Sequence, residues 1–427
     1  IYIFLCEEEM KTSSTVLKPT VIALLLVFLV IGAGIGYMLH PAPPPPATTL
    51  PSEIPIGVLV ALTGDFSSYG VRAEATVKIA ESEINAYVTS LGIPTTFKFY
   101  YEDYETKPDV ALQRLQSLYA RGIKVVVGGL TSGSTRQMVS YADTNKILVI
   151  GGASTAPREN VAPPGDYIIR VVPAAEAEGD ALVAALKDRG YMNIAIVTTE
   201  DTYSLSIGDA FKSRYTAAGG KVVADITYAP GAKDFTVVLD TLEREVAPLL
   251  SAKQNVAVFA NMWEDVAVLM NQANGRNSPL LSLEWFGPDT LSQGTVIIKD
   301  AGPVATKVKL ISVQLMAPMT KKHATLKATL ESTMGQEPDV YALATYDAAW
   351  LAALSILNAG KYDPDAVKTA LLTIAPSYWG ATGNIELNEK GDRLMMDMEF
   401  WAVVQGQWQR VASYSSQTQQ VSWLIQL

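Results

Sequence analysis

The chain has 427 residues, of which 49% are hydrophobic and 18% charged, with a net charge of −10. That length suits two globular units plus extra segments, and the apolar content supplies real cores. The acidic balance and the lack of any basic run exclude nucleic acid as a partner, because phosphate neutralisation needs clustered Lys and Arg.

Cys6 is the only cysteine, which excludes a disulfide framework or a thiolate metal site in the folded part. His40 borders a proline run and His323 follows Thr320-Lys321-Lys322. Both read as solvated residues, with neither metal-ligand spacing nor a nucleophile in reach. The sequence therefore offers no catalytic residue and calls for no metal and no cofactor.

Residues 1–20 carry Lys11 and Lys18 and are followed by the uncharged apolar run 21–39 (VIALLLVFLVIGAGIGYML), long enough as a helix to cross a bilayer. The flanking lysines assign 1–20 to the cytoplasm and send everything after the run outside. An uncleaved transmembrane anchor and a secretory signal with a small-residue exit at Gly32-Ala33-Gly34 are both open, and both export the rest. A lipid-modified cysteine is not expected, since Cys6 lies before the run. Residues 40–55 (ending PAPPPPATTLPSEIP) read as an extended proline-rich spacer.

From residue 56, short β-branched runs alternate with stretches of helical period, the pattern of βαβ units on a parallel sheet. Strands are expected at 56–61, 96–101, 124–128 and 147–151, with helices at 70–88 and 108–120. A second set places helices at 174–188, 206–218, 235–250 and 264–274 and strands at 193–198, 221–228 and 256–260. The chain returns through a strand at 309–315 and helices at 323–334 and 341–357, and ends in a β-rich tail at 398–414. The fold class is α/β: two doubly wound parallel-sheet lobes joined by multiple crossovers, the first from 56–172 and 314–380, the second from 173–313 and 381–427. Ligands bind such sheets at the carboxyl ends of the strands.

Two strand ends carry polar loops. Gly128-Gly129-Leu130-Thr131-Ser132-Gly133-Ser134-Thr135 follows a buried run and opens a helix, so its hydroxyls and free N–H groups can face an anion or can cap the helix. One βα unit later Gly151-Gly152-Ala153-Ser154-Thr155-Ala156-Pro157 repeats the design. Neither glycine pair has a phosphate-loop lysine or the G-x-G-x-x-G spacing, which argues against a nucleotide.

The segments IPIGVLVALTGDFSSYG, VVVGGLTSGST, ILVIGGASTAP, LEWFGPD, ATYDAAWLAAL and GNIELNEKGDR, in this order, together resemble one family, the branched-chain amino acid binding proteins of ABC importers, which are type I periplasmic binding proteins. The resemblance runs from about Ile56 to the C-terminus. It implies that Ser132 and Thr155 hold a ligand carboxylate, with Ser154 beside them. It implies that the Ala153 carbonyl and the Asp289 carboxylate take the ligand ammonium, although the family's branched-chain binders usually have glutamate at the latter place. Tyr69 and Tyr203 match aromatic positions enclosing the ligand side chain, and Trp263 and Trp285 lie near strand ends where either could line the pocket. The implied partners are a small solute (an amino acid, or an amide or urea-like compound), ABC permease subunits and, through them, ATPase subunits. A receptor-type sensor built on the same lobes is the alternative.

Overall fold

The computed structural model describes residues 50–427 apart from 163–166, 175 and 395. The expected apolar anchor at 21–39 and most of the proline spacer lie outside the described residues. The spacer's last residues, 53–55, are already structured: the first strand, β1, is Glu53–Val60.

The first sheet contains β1, β2 (Thr96–Asp103), β3 (Val125–Gly128), β4 (Leu148–Gly151) and β5 (Ile168–Pro173). The second is built on β6 (Asn193–Thr199), β7 (Lys221–Tyr228), β8 (Val256–Asn261), β9 (Trp285–Gly287) and β10 (Ile311–Leu315). A two-stranded ribbon, β11 (Trp379–Gly380) and β12 (Gly383–Asn384), precedes β13 (Asp392–Arg393), and β14 (Met398–Val404), β15 (Gln407–Ser415) and β16 (Gln420–Trp423) close the chain. The sheet orders are β13-β5-β4-β3-β1-β2 and β16-β15-β14-β10-β9-β8-β6-β7. The first is parallel throughout, and the second adds the antiparallel strands β14, β15 and β16 at one edge. Both are covered by helices, which is why β3 and β4 read as unbroken apolar runs and are buried along their whole length.

Sheet membership moves the lobe boundaries expected from sequence. β10 stays in the second sheet to Leu315, so the chain recrosses after it and not at 314. Residues 392–393 pair with β5, so the last crossing follows Arg393 and not residue 380. The short β13 was hidden because two residues carry no period. Among the described residues one helix, Val340–Ala359, is apolar and long enough to span a membrane, yet it is buried against the Ser67–Ser90 helix and β3, β4 and β5 as a core element of the first lobe. His323, expected to be solvated, is buried, with Nδ1 3.0 Å from the Pro318 carbonyl.

The Ser67–Ser90 helix lies directly across the end of β1. A Cβ on Gly70 would stand 1.9 Å from the Ala61 carbonyl oxygen, so only glycine permits that approach. This close seating brings the residues just before the helix to the cleft.

Candidate functional site

Gly128 and Gly151 are paired in register at the ends of β3 and β4, so the loops after them emerge side by side. Thr131 caps the Ser132–Asn145 helix, accepting from the Ser134 N–H at 3.3 Å. Ser132 Oγ accepts from the Ala156 N–H at 3.2 Å and from Ser154 Oγ at 3.4 Å, which ties the two loops together. The Thr155 hydroxyl has no hydrogen-bond partner among the described residues and faces the same space. The leading N–H groups of a helix lack intrahelical acceptors and favour an anion, so this edge of the first lobe is an electropositive, hydroxyl-rich wall.

The second lobe supplies the opposite wall. Asp201 caps the Thr202–Ala217 helix through the N–H groups of Tyr203 and Ser204 at 2.9 and 3.0 Å. Its other oxygen accepts from Trp263 Nε1 at 2.7 Å, which fixes the Tyr203 and Trp263 rings with centroids 5.7 Å apart. Asp289 follows β9 and starts a 3-10 turn, Asp289–Leu291. Its Oδ1 accepts from the Tyr203 hydroxyl at 2.5 Å, and its Oδ2 accepts from the Tyr341 hydroxyl. Behind it, the Asp289 N–H donates to Glu178 Oε1 at 2.9 Å. Both acids are buried, at 3% and 1% exposure, and burial pushes both carboxyls up from their ordinary range.

The two walls face each other across a narrow space lined by Ser132, Ala153, Thr155, Tyr203, Trp263 and Asp289, all singled out in the sequence, and also by Phe66, Thr131, Thr290 and Tyr341, which were not. Ser154 lies beneath the cavity floor, its carbonyl accepting from Arg170 Nη1 at 3.2 Å. Tyr69 is one layer back. Its hydroxyl faces the carbonyls of Asp289, Thr290 and Ser292 across the cleft, with the Ser292 carbonyl the nearest acceptor, and its ring stacks behind Phe66 at 4.6 Å. The helix begins at Ser67, so Phe66 at its cap points into the cavity where Tyr69 was expected. Trp285 belongs to the second lobe's core, with Nε1 donating to the Leu280 carbonyl at 3.0 Å.

The Trp263 ring separates this cavity from a larger cleft of about 630 Å³ that opens to solvent between the lobes and carries Asp65, Arg136, Glu200 and Asp209. Hydrogen bonds also join the lobes on either side of the site: Asn160 Nδ2 donates to Ser206 Oγ at 2.7 Å, and Ser68 Oγ donates to Glu264 at 3.1 Å. The arrangement can bind a small dipolar molecule between an anion-accepting wall and an acidic, aromatic one. Among the described residues no His, Cys, Asp and Glu group could hold a metal ion.

The periplasmic binding protein family model matches residues 53–407 of the chain. An uncharacterized protein of Methanocaldococcus jannaschii is 31% identical over 386 residues, 87% of this chain and 91% of that one. A leucine-, isoleucine-, valine-, threonine- and alanine-binding protein of Pseudomonas aeruginosa is 26% identical over 346 residues, 79% of this chain and 87% of that one. Among solved structures, a leucine-binding protein of Thermotoga maritima superposes with a TM-score of 0.73 at 19% identity, over 86% of this chain and 99% of that one.

Proposed function

The chain belongs to the periplasmic binding protein family, and from that premise we propose that it is the extracytoplasmic solute-binding component of an ABC importer, capturing a small amino acid between its lobes for delivery to a permease. The family is one of extracytoplasmic solute-binding proteins and not of enzymes. The apolar segment at 21–39 then serves as membrane anchor or export signal, and the proline run as a stalk.

One observation carries the ligand class: the cavity has opposed poles. Ser132, Thr155 and a helix N-terminus form one pole on the first lobe, and Asp289 of the second lobe, held by Tyr203 and by Tyr341 reaching over from the first, forms the other. An α-carboxylate fits the first pole through charge-assisted hydrogen bonds and an α-ammonium fits the second. Each pole alone would tolerate many solutes, whereas both together favour a zwitterion. The Pseudomonas aeruginosa relative, named for five small amino acids, supports the same class.

Calorimetric titration of the full chain against the standard amino acids, with the matching des-amino acids and amino-acid amides, tests this. At least one amino acid should bind, and its des-amino and amide counterparts about ten-fold or more weakly, the loss of one charge-assisted contact. Equal binding of the plain carboxylic acid, or no amino acid binding, removes the reading.

A further inference from the structure

Glu178 stands behind Asp289 with no role in the reading above and with no ion-pair partner among the described residues. It is fully buried at the start of the Glu176–Asp188 helix. Its oxygens meet the Asp289 N–H at 2.9 Å and the Tyr203 hydroxyl, 3.5 Å from each of them. Two carboxyls thus lie together in a low-dielectric site, and neither has an ion-pair partner among the described residues. The groups facing them from other elements are Tyr203 and Tyr341, whose hydroxyls donate to Asp289, and Tyr69, whose hydroxyl donates to the backbone of the same turn. Arg72 lies against the Tyr69 ring, 5.2 Å from its centroid, and is already paired with Asp339 at 2.5 Å. Glu264 is a further acid near Tyr69.

Two like charges held that way cannot both ionise without a compensating cation. The donors decide which one does. Asp289 receives two tyrosine hydroxyls, one on each oxygen, while Glu178 receives a backbone N–H and one long contact. We propose that in the ligand-free protein Glu178 holds a proton behind an ionised Asp289, and that it ionises when the cationic group of the solute docks against Asp289, so that capture releases one proton to solvent. Glu178 is then a charge-selecting residue of the same site: it sets the acidic pole to accept a full positive charge and to refuse a neutral amide or a second carboxylate. The selectivity half of this inference rests on the amino-acid reading above, whereas the protonation half does not.

Infrared difference spectra of the full chain without ligand at neutral pH decide the protonation state. Wild type minus Glu178→Gln should show the carbonyl stretch of one protonated carboxyl. In Asp289→Asn, where the like charge is gone, the pH at which that band disappears should fall. Absence of the band in the wild type, or an unchanged midpoint in Asp289→Asn, overturns the proposal, and circular dichroism of both near-isosteric variants confirms that they fold. For whichever amino acid the titration panel identifies, calorimetry in buffers of different ionisation enthalpy should count about one proton released per ligand in the wild type and none in Glu178→Gln. Equal counts in the two proteins overturn the release step. If no amino acid binds, the functional reading falls, and the infrared result still decides the state of Glu178.

Discussion

Tyr341 of the first lobe donates its hydroxyl to the Asp289 carboxylate of the second, so one hydrogen bond joins the two halves of the molecule at the cavity itself. Removing the hydroxyl with Tyr341→Phe keeps the ring, whose centroid lies 5.8 Å from that of Tyr69, and takes one donor from a buried carboxylate. A buried group left short of a partner costs about 1–3 kcal/mol. The expected outcome is roughly ten-fold weaker binding of the amino acid that the wild type prefers, with solution scattering showing a larger radius of gyration before ligand is added. Unchanged affinity would show that Tyr341 does not support the acidic pole.

Trp263 is the wall between the inner cavity and the outer cleft, and its Nε1 uses one oxygen of Asp201, the residue that also caps the helix carrying Tyr203. Trp263→Ala should therefore weaken binding more than Tyr341→Phe, by about two orders of magnitude, in the range of a buried aromatic anchor of about 2–4 kcal/mol. Asp201→Ala should reproduce part of that loss by releasing both rings. Titration of the two variants against the wild-type ligand measures it; full affinity in Trp263→Ala would move the ligand away from this wall.

Asp392 accepts from Arg170 Nε at 2.7 Å and Nη2 at 2.8 Å, and from Arg158 Nη1 at 2.7 Å, all three side chains being buried. Arg170 in turn donates to the carbonyls of Ser154 and Ala156, at 3.2 and 2.5 Å, which props the loop that carries Ala153 and Thr155. Taking one partner out of a buried charge network costs about 3–5 kcal/mol. Asp392→Ala should lower the unfolding free energy by that order, read from denaturant midpoints at constant slope, and should also weaken ligand binding through the loosened loop. A loss of less than about 1 kcal/mol, the value of an exposed pair, would contradict the geometry.

What could be read in the sequence follows physical lines. Long elements with a clear period, such as the Pro108–Ala120 helix and β7, stand where the pattern puts them. The glycine-rich strand ends marked the two loops, because a polar loop after an apolar run is a local signal, and the family resemblance picked Ser132, Ala153 and Thr155 out of them. β5, β9, the Thr295–Lys307 helix and the Pro364–Ile374 helix escaped notice: β9 has only three residues, and Pro303 interrupts the pattern of Thr295–Lys307. Phe66 and Tyr69 differ by helix phase alone, which depends on where the helix starts. Glu178 had no signal at all, since AEAEGD reads as the solvated acidic first turn of a helix, and only the approach of Asp289 from more than a hundred residues away buries it. Tyr341 was placed on a helix, but its reach across the lobes is a tertiary fact.

Burial of Glu264, which accepts the lobe-to-lobe hydrogen bond from Ser68, makes stability depend on pH. Ser68 Oγ donates to Glu264 and the Val296 N–H donates to the same carboxyl at 3.1 Å, but burial is the larger effect and pushes Glu264 up from 4.5 to about 7. Asp265 beside it is raised by burial to about 6. A carboxyl whose folded value is raised binds its proton more tightly in the folded chain than in the unfolded one. Its contribution is therefore fully present below the unfolded value and is lost as pH rises through the folded value. For Glu264 that window runs from about 4.5 to about 7, and the shift corresponds to about 3 kcal/mol in order of magnitude. The carboxylates held low, Asp103, Asp234, Asp365 and Glu284, act with the opposite sign but below this window. The melting temperature of the wild type should thus fall between pH 5 and pH 8, and Glu264→Gln, which cannot ionise, should flatten part of that fall. Thermal melts of the two proteins across this range measure the difference; parallel curves would mean that Glu264 titrates alike in the folded and unfolded chains, and that the lobe-to-lobe contact at Ser68 is open in solution.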